Sequence, residues 1–368
     1  MAKSLEAYKG CLLGMAVGDA MGSAVDEWTL EEIRKVFGPE GLSGYACLNG
    51  YATITAHTQL AAYTANGLLL GMTRGQMRGK MAPYVCYVHI GLYEWARSQT
   101  FRRDPDKPFF CWVGEDESMH ARRARDNMLV DTLMTDWIGT MEEPKNKRES
   151  ATVLTTAIPI GLFYDRSRIS REEIMRLGAE TAAMSHGNST AFLSAAALSG
   201  IISRLAGDGA ADLKEAVLET MQDLQSGFGT DYPQAVAEVV TKLRMAVALS
   251  ESPKVRDLDA MEEMDCDSAV TVLEGAVYAC LLHKDSFEQA MAAAVNHSGR
   301  SGIVAAVTGA LFGCISGTKP MMEYFLKGLE PMPVLEMLAE DLIQGCPMTK
   351  NSVLFDFEWD EKYLSYRR

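Results

Sequence analysis

"STAFLSAAALSGIISRL" (residues 189–205) decides the fold. Its apolar side chains recur at three-and-four spacing, the period of a helix that buries one face. The same spacing runs through "TQLAAYTANGLLLGM" (58–72), "AVAEVVTKLRMAVAL" (235–249) and "DSAVTVLEGAVYACLL" (267–282). No stretch sustains the two-residue alternation of a strand. Between the runs stand "SGTKP" and "GLEPMPV", with the glycines and prolines that end helices. The reading is all-α, and without a repeat of fixed period it is a compact orthogonal multi-helix bundle rather than a solenoid.

Composition agrees. Hydrophobic residues make up 48% of the 368-residue chain and aromatic ones only 8%, so the apolar mass is small and aliphatic, which suits close helix packing. With 35 basic and 49 acidic residues the formal charge is −14, which disfavours nucleic acid and anionic membrane as partners. Eight scattered cysteines without a C-x-x-C read as reduced thiols. The start, "MAKSLEAYKG", lacks a signal core, and the apolar runs of roughly a dozen residues fall short of the about 20 that span a bilayer. These features place the protein in the cytoplasm.

We read one domain over 1–368. Residues 99–150 differ in texture, mixing prolines, aromatics and charges, and read as a lid or cap insertion. The tail "NSVLFDFEWDEKYLSYRR" should pack back on the surface or on a partner subunit, which is compatible with a homo-oligomer.

In "YKGCLLGMAVGDAMGSAVDEW" (8–28), Asp19 sits among Gly18, Ala20 and Gly22, residues too small to shield a carboxylate. Alone, such an aspartate is most simply a helix-end cap. It is followed in order by "ITAHTQLA" (54–61), "AIPIGLF" (157–163), "AAMSHGNSTAFLSAAALSG" (182–200) and "FEQAMAAAVNHSGRSGIVAAVTGALFG" (287–313). In order and spacing these elements resemble the ADP-ribosylglycohydrolase family over most of the chain.

The resemblance implies an all-α fold with a central cleft, where two magnesium ions help cleave the glycosidic bond of ADP-ribose. Magnesium takes oxygen ligands in near-octahedral geometry, which the family supplies from aspartates and threonines. This chain departs there. The family's Thr-Asp-Asp-Thr is Thr55-Ala56-His57-Thr58, and its Gly-Gly-Asp-Thr/Ser-Asp-Thr is Ser298-Gly299-Arg300-Ser301-Gly302-Ile303. Four ligand aspartates are missing and one is a cation, so the expectation is no metal and no cofactor.

By position in the resemblance, Asp19, Asp26, Glu27 and His57 are the candidate catalytic residues. Thr55, Thr58, His186, Asn188, Asn296, Ser298, Gly299, Arg300 and Ser301 are the candidate substrate contacts. Arg300 should enter the cleft near Asp19, either binding an anionic group bidentately or pairing with Asp19 to refill the old site. His57 can exchange a proton near neutral pH, or serve as a hydrogen-bonded filler. His186 and Asn188 either touch ligand or cap a helix. His297 is a minor candidate, and His89, His120 and His283 read as structural. Thr155-Thr156 stands where the family has Met-Arg, so the distal cleft wall is altered too.

Three functions follow. The first is a metal-independent glycoside hydrolase acting on an N- or O-glycosidic, ribosyl-type bond. The second is an inactive family member that binds a nucleotide-like or anionic ligand or a partner protein. The third keeps one ion through Asp19, Asp26 and Thr55. In the first two the ligand is a small-molecule glycoside or nucleotide-like compound.

Overall fold

Glycines at every fourth position set the centre of the fold. In the first helix, α1 (Leu5–Gly22), Gly10, Gly14, Gly18 and Gly22 form a side-chain-free stripe. An antiparallel helix, Ser301–Ser316, lies on it. A Cβ at these four glycines would stand 2.1, 2.1, 1.9 and 2.3 Å from the carbonyl oxygens of Gly313, Gly309, Ala305 and Ser301. No side chain fits there, so the backbones touch. The contact brings the C-terminal end of α1, with Asp19 and the turn holding Asp26, beside the N-terminal end of the partner helix, with Arg300.

The computed structural model describes residues 4–46, 52–79, 82–100, 109–135, 137–163, 169–207, 212–252, 257–321, 323–351 and 355–365. Among these there are helices, turns and two isolated bridges, and no strand, so the chain is all-α. After α1 come α2 (Leu30–Phe37), α3 (Ala56–Arg78) and α4 (Tyr84–Thr100), then the short α5 (Glu117–His120) and α6 (Asn127–Leu133). The middle of the chain forms α7 (Leu154–Leu162), α8 (Arg171–Ala183), α9 (Ser189–Gly207), α10 (Leu213–Phe228), α11 (Pro233–Ser250) and α12 (Asp257–Met264). It closes with α13 (Ala269–Leu282), α14 (Phe287–Val295), α15 (Ser301–Ser316), α16 (Glu323–Lys327), α17 (Met332–Gln344) and α18 (Phe357–Asp360).

Side-chain caps start many of these helices, satisfying backbone N–H groups that have no partner within the helix. Thr29 and Ser170 make full capping boxes with Glu32 and Glu173. The α1–α15 pair is flanked by α3, α7, α13, α14 and α17, while α8 to α11 pack in sequence beyond α7. α9 corrects one expectation: by length and composition it could cross a bilayer, with 19 residues and an 18-residue window of mean hydropathy 1.3. That window is 94% buried among the other helices, which is how a core helix can be apolar all round.

The charged segment is tied down by two glutamines. Gln59 of α3 donates to the carbonyls of Ser118 and Ala121 at 2.8 and 2.9 Å, and Trp95 Nε1 donates to its oxygen at 3.0 Å. Gln99 of α4 accepts from the N–H groups of Arg123 and Ala124 at 2.8 and 3.0 Å. The tail packs on its own chain: Trp359 donates to Thr73 at 2.9 Å, and the Tyr363 hydroxyl donates to Asp341 at 2.7 Å. Parts of the lid (101–108, 136) and tail (352–354, 366–368), and Cys47, lie outside the described residues.

Candidate active site

Asp19 is completely buried at the N-terminus of α3, and that helix start is built around it. Thr55 caps α3, accepting from the His57 N–H at 3.2 Å, while its own hydroxyl donates to Asp19 Oδ1 at 2.6 Å. The N–H groups of Thr55 and Thr58 donate to Oδ2 at 2.8 and 3.2 Å, and the Thr58 hydroxyl donates to the same oxygen at 2.6 Å. His57 Nδ1 lies 3.3 Å from Oδ1. Burial alone would raise this carboxyl, but hydrogen bonds from His57, Thr55 and Thr58 and the charge of His57 outweigh it, holding it below its ordinary value. A helix N-terminus favours the same ionised form.

In front of this buried group opens a cavity of about 410 Å³. Its wall carries Asp26, Thr55, His57, Thr152 and Arg300 from the helical body, and Arg122, Arg123, Arg125, Asp126 and Leu129 from the charged segment. Four arginines thus line one hollow of an acidic protein. Two of them also brace the wall. Arg123 donates to the Ile54 carbonyl at 3.0 Å and to Glu330 at 2.7 Å, which fixes the residue before Thr55. Arg122 donates to the Thr100 carbonyl at 2.9 Å.

Arg300 does not pair with Asp19, as one reading of the sequence expected. His57, Thr55 and Thr58 already occupy Asp19. Arg300 lies instead against the turn after α1, with Nε 3.8 Å from Asp26 Oδ2 and an Nη 3.5 Å from Glu27 Oε1. Asp26 Oδ1 accepts from the Gly302 N–H at 3.1 Å, so this carboxylate caps α15 from outside the chain segment. Backbone strain is found in the two loops that hydrogen-bond to Gly299 and Arg300. The three non-glycine residues with left-handed φ among those described are Glu27 (66°), Asp265 (63°) and Cys266 (29°). The Glu27 N–H donates to the Gly299 carbonyl at 3.1 Å, and the Arg300 N–H donates to the Cys266 carbonyl at 3.0 Å. Residues held off their preferred φ cost of order 1–3 kcal/mol each, so the surroundings must hold both loops firmly.

The other candidates fall into two groups. Thr58 stands behind the wall with Asp19, and Glu27 stands outside it, its side chain 64% exposed. Asn296, Ser298, Gly299 and Ser301, expected as substrate contacts, are spent on backbone instead. Asn296 brackets Leu42, accepting from its N–H at 2.7 Å and donating to its carbonyl at 2.9 Å. The Ser298 hydroxyl accepts from the Leu30 N–H at 2.8 Å, and the Ser301 hydroxyl donates to the Val295 carbonyl at 3.1 Å. Asn188 caps α9, accepting from Thr190 and Ala191 at 2.8 and 3.2 Å. His186 is buried between the hydroxyls of Ser150 and Ser185, 2.9 and 2.8 Å from its two nitrogens. Burial, helped by the charge of Arg148, lowers it to about 3, so it stays neutral at physiological pH. Thr155 and Thr156 turn back to the carbonyls of Thr152 and Val153.

Arg122, Arg123, Arg125, Asp126 and Thr152 were not singled out by sequence. The signal was the run "RRARD" (122–126), whose texture marked a lid without showing which charges face inward.

The profile of the ADP-ribosylglycohydrolase family matches residues 1–352. A solved structure of an ADP-ribosylglycohydrolase-related protein complex superposes with a TM-score of 0.57, covering 92% of this chain and 98% of that one at 21% identity. At that identity the likeness concerns the fold. No curated protein matches significantly.

Proposed function

Because the chain belongs to the ADP-ribosylglycohydrolase family, we propose that it is a glycoside hydrolase cleaving an N- or O-linked, ribosyl-type bond without the family's pair of magnesium ions. One observation carries this reading: the buried Asp19 holds His57 by Nδ1 in the wall that Asp26 shares. The family's hydrolytic chemistry supports the reaction class, and the donor set supports the absence of metal. Two hard dications require many oxygen ligands. Asp19 already receives three N–H or imidazole contacts and two hydroxyls, and Asp26 has guanidinium groups beside it. Among the described residues no group of three His, Cys, Asp or Glu could hold an ion. These residues do not fit the metal pair.

Asp19 then has a different role from the catalytic one its position suggested. With no access to the cavity, it orients the imidazole, as the buried carboxylate does in other carboxylate–histidine pairs. With Nδ1–H directed at Asp19, His57 keeps Nε2 for proton transfer. Protonated His57 gives its proton to the leaving group as the C1–N or C1–O bond breaks. Asp26 stabilises the oxocarbenium-like charge and takes a proton from the water that adds at C1.

A binding-only reading is favoured by one fact, the internal use of every Asp19 contact. Incubation with a panel of N- and O-ribosides in chelator separates the two. Release of free sugar supports hydrolysis; binding of the same compounds without any release refutes it.

A further inference from the structure

We propose that Arg125 and Arg300 form a two-sided clamp for an oxyanion group, a phosphate or carboxylate carried by the ligand. The two arginines reach Asp26 from different parts of the chain, one from the charged segment and one from the loop before α15. Arg125 Nη1 is 3.9 Å and Arg300 Nε 3.8 Å from the same atom, Asp26 Oδ2. Both separations are beyond hydrogen-bond length, so Asp26 attracts the two groups without using their N–H donors. Among the described residues neither guanidinium makes a hydrogen bond, and Arg300 Nε is buried with no hydrogen-bond partner, its contact with Asp26 being an ion pair at 3.8 Å. A buried donor left unsatisfied is costly, and the simplest satisfaction is a group that enters from the cavity.

The other cavity arginines differ. Arg123 is spent on Ile54 and Glu330, and Arg122 on Thr100. Arg125 and Arg300 are the pair with donors to spare, and their planar forks suit bidentate contact with an oxyanion. Asp26 opposes an incoming anion, and Glu27, 3.5 Å from an Arg300 Nη, competes for that guanidinium. But Glu27 is 64% exposed, Asp26 Oδ1 already accepts from Gly302, and the wall carries four arginines against Asp26 and Asp126. Attraction to Asp26 Oδ2 anchors both guanidinium groups on the cavity wall, beside the carboxylate assigned as the base. Arg125 is 72% exposed at its side chain and Arg300 27%, so both can be reached by a ligand entering from solvent.

This clamp deepens the proposed function by naming the ligand's charge, and rests on it only for the bond that is broken. The test is calorimetric titration of the whole protein with inorganic phosphate, pyrophosphate and malonate. Arg125→Gln and Arg300→Gln are each expected to weaken the best of these at least tenfold. Because Arg125 is exposed, its variant tests the clamp without threatening the fold. Tighter binding of phosphate than malonate assigns a phosphoryl group, and the reverse assigns a carboxylate. Equal affinity in wild type and both arginine variants, or no binding of any probe, overturns the clamp. Anion binding lost in both variants of a protein that cleaves no riboside refutes the hydrolase reading alone.

Discussion

Thr58 closes the Asp19 carboxylate twice over, donating its N–H at 3.2 Å and its hydroxyl at 2.6 Å to the same oxygen, Oδ2. A carboxylate so enclosed is a structural anion. Asp19→Asn would turn an amide toward backbone donors that cannot rotate away. We expect it to cost about 2–4 kcal/mol in urea unfolding. A change under about 0.5 kcal/mol, the scatter of a neutral surface substitution, would show that the network adds nothing.

The central glycine stripe gives a sharper stability test. A methyl group at Gly14 meets the Gly309 carbonyl at 2.1 Å, and helix backbone cannot rotate aside as a flexible side chain can. Gly14→Ala should destabilise by about 3 kcal/mol or more, the upper end of overpacking. Thermal melting of this variant beside Gly38→Ala, where a Cβ meets nothing within 4 Å but φ is 92°, separates crowding from backbone strain. Crowding predicts that Gly14→Ala melts lower.

Acid should weaken the fold well before its carboxylates are protonated. His186 titrates at about 3 when folded, against an ordinary value of 6.5. Between those values the unfolded chain binds a proton that the folded chain does not, so stability falls as pH is lowered from about 6.5. The slope from this group approaches about 1.4 kcal/mol per pH unit. Half-buried His89 and buried His297 are lowered in the same sense, chiefly by desolvation, and add to it. Asp19 behaves differently: its depressed carboxyl stabilises above about pH 4, and that contribution goes only as pH falls further. Melts from pH 7.5 to 5 should show a shallower slope for His186→Gln than for wild type. Equal slopes would mean that His186 is not the group responsible.

Divalent metal should leave stability untouched. A ligand that does not bind the native state cannot raise its melting temperature. Chelator and millimolar magnesium should give superimposable melts. A magnesium-dependent rise would contradict the donor set described here.

The helical class was legible because it depends on local pattern, whereas the residues expected at the cleft were read from the resemblance to the family. Period 3.6 marks a buried helix, and "ITAHTQLA" places Thr55 and His57 at a helix start whatever surrounds them. The partner of Arg300 was not legible. It depends on the glycine stripe, which sets the α1–α15 register and puts Gly302, rather than any residue nearer Asp19, against Asp26. Hydroxyls and amides such as Ser298, Ser301 and Asn296 look alike in sequence whether they face ligand or satisfy a turn. Only the fold shows that Leu30, Val295 and Leu42 take them. The charged run 122–126 announced a surface segment, and its inward arginines became visible only once Gln59 and Gln99 had fixed its path.

The most direct test of the central claim is the rate of free-sugar release from the best riboside, measured in chelator for wild type and His57→Gln. The account predicts metal-free turnover that falls about 10²–10⁴-fold in the variant, the range for a lost general acid–base group, with riboside binding retained. Turnover that needs magnesium, or that survives in His57→Gln at the wild-type rate, would contradict it.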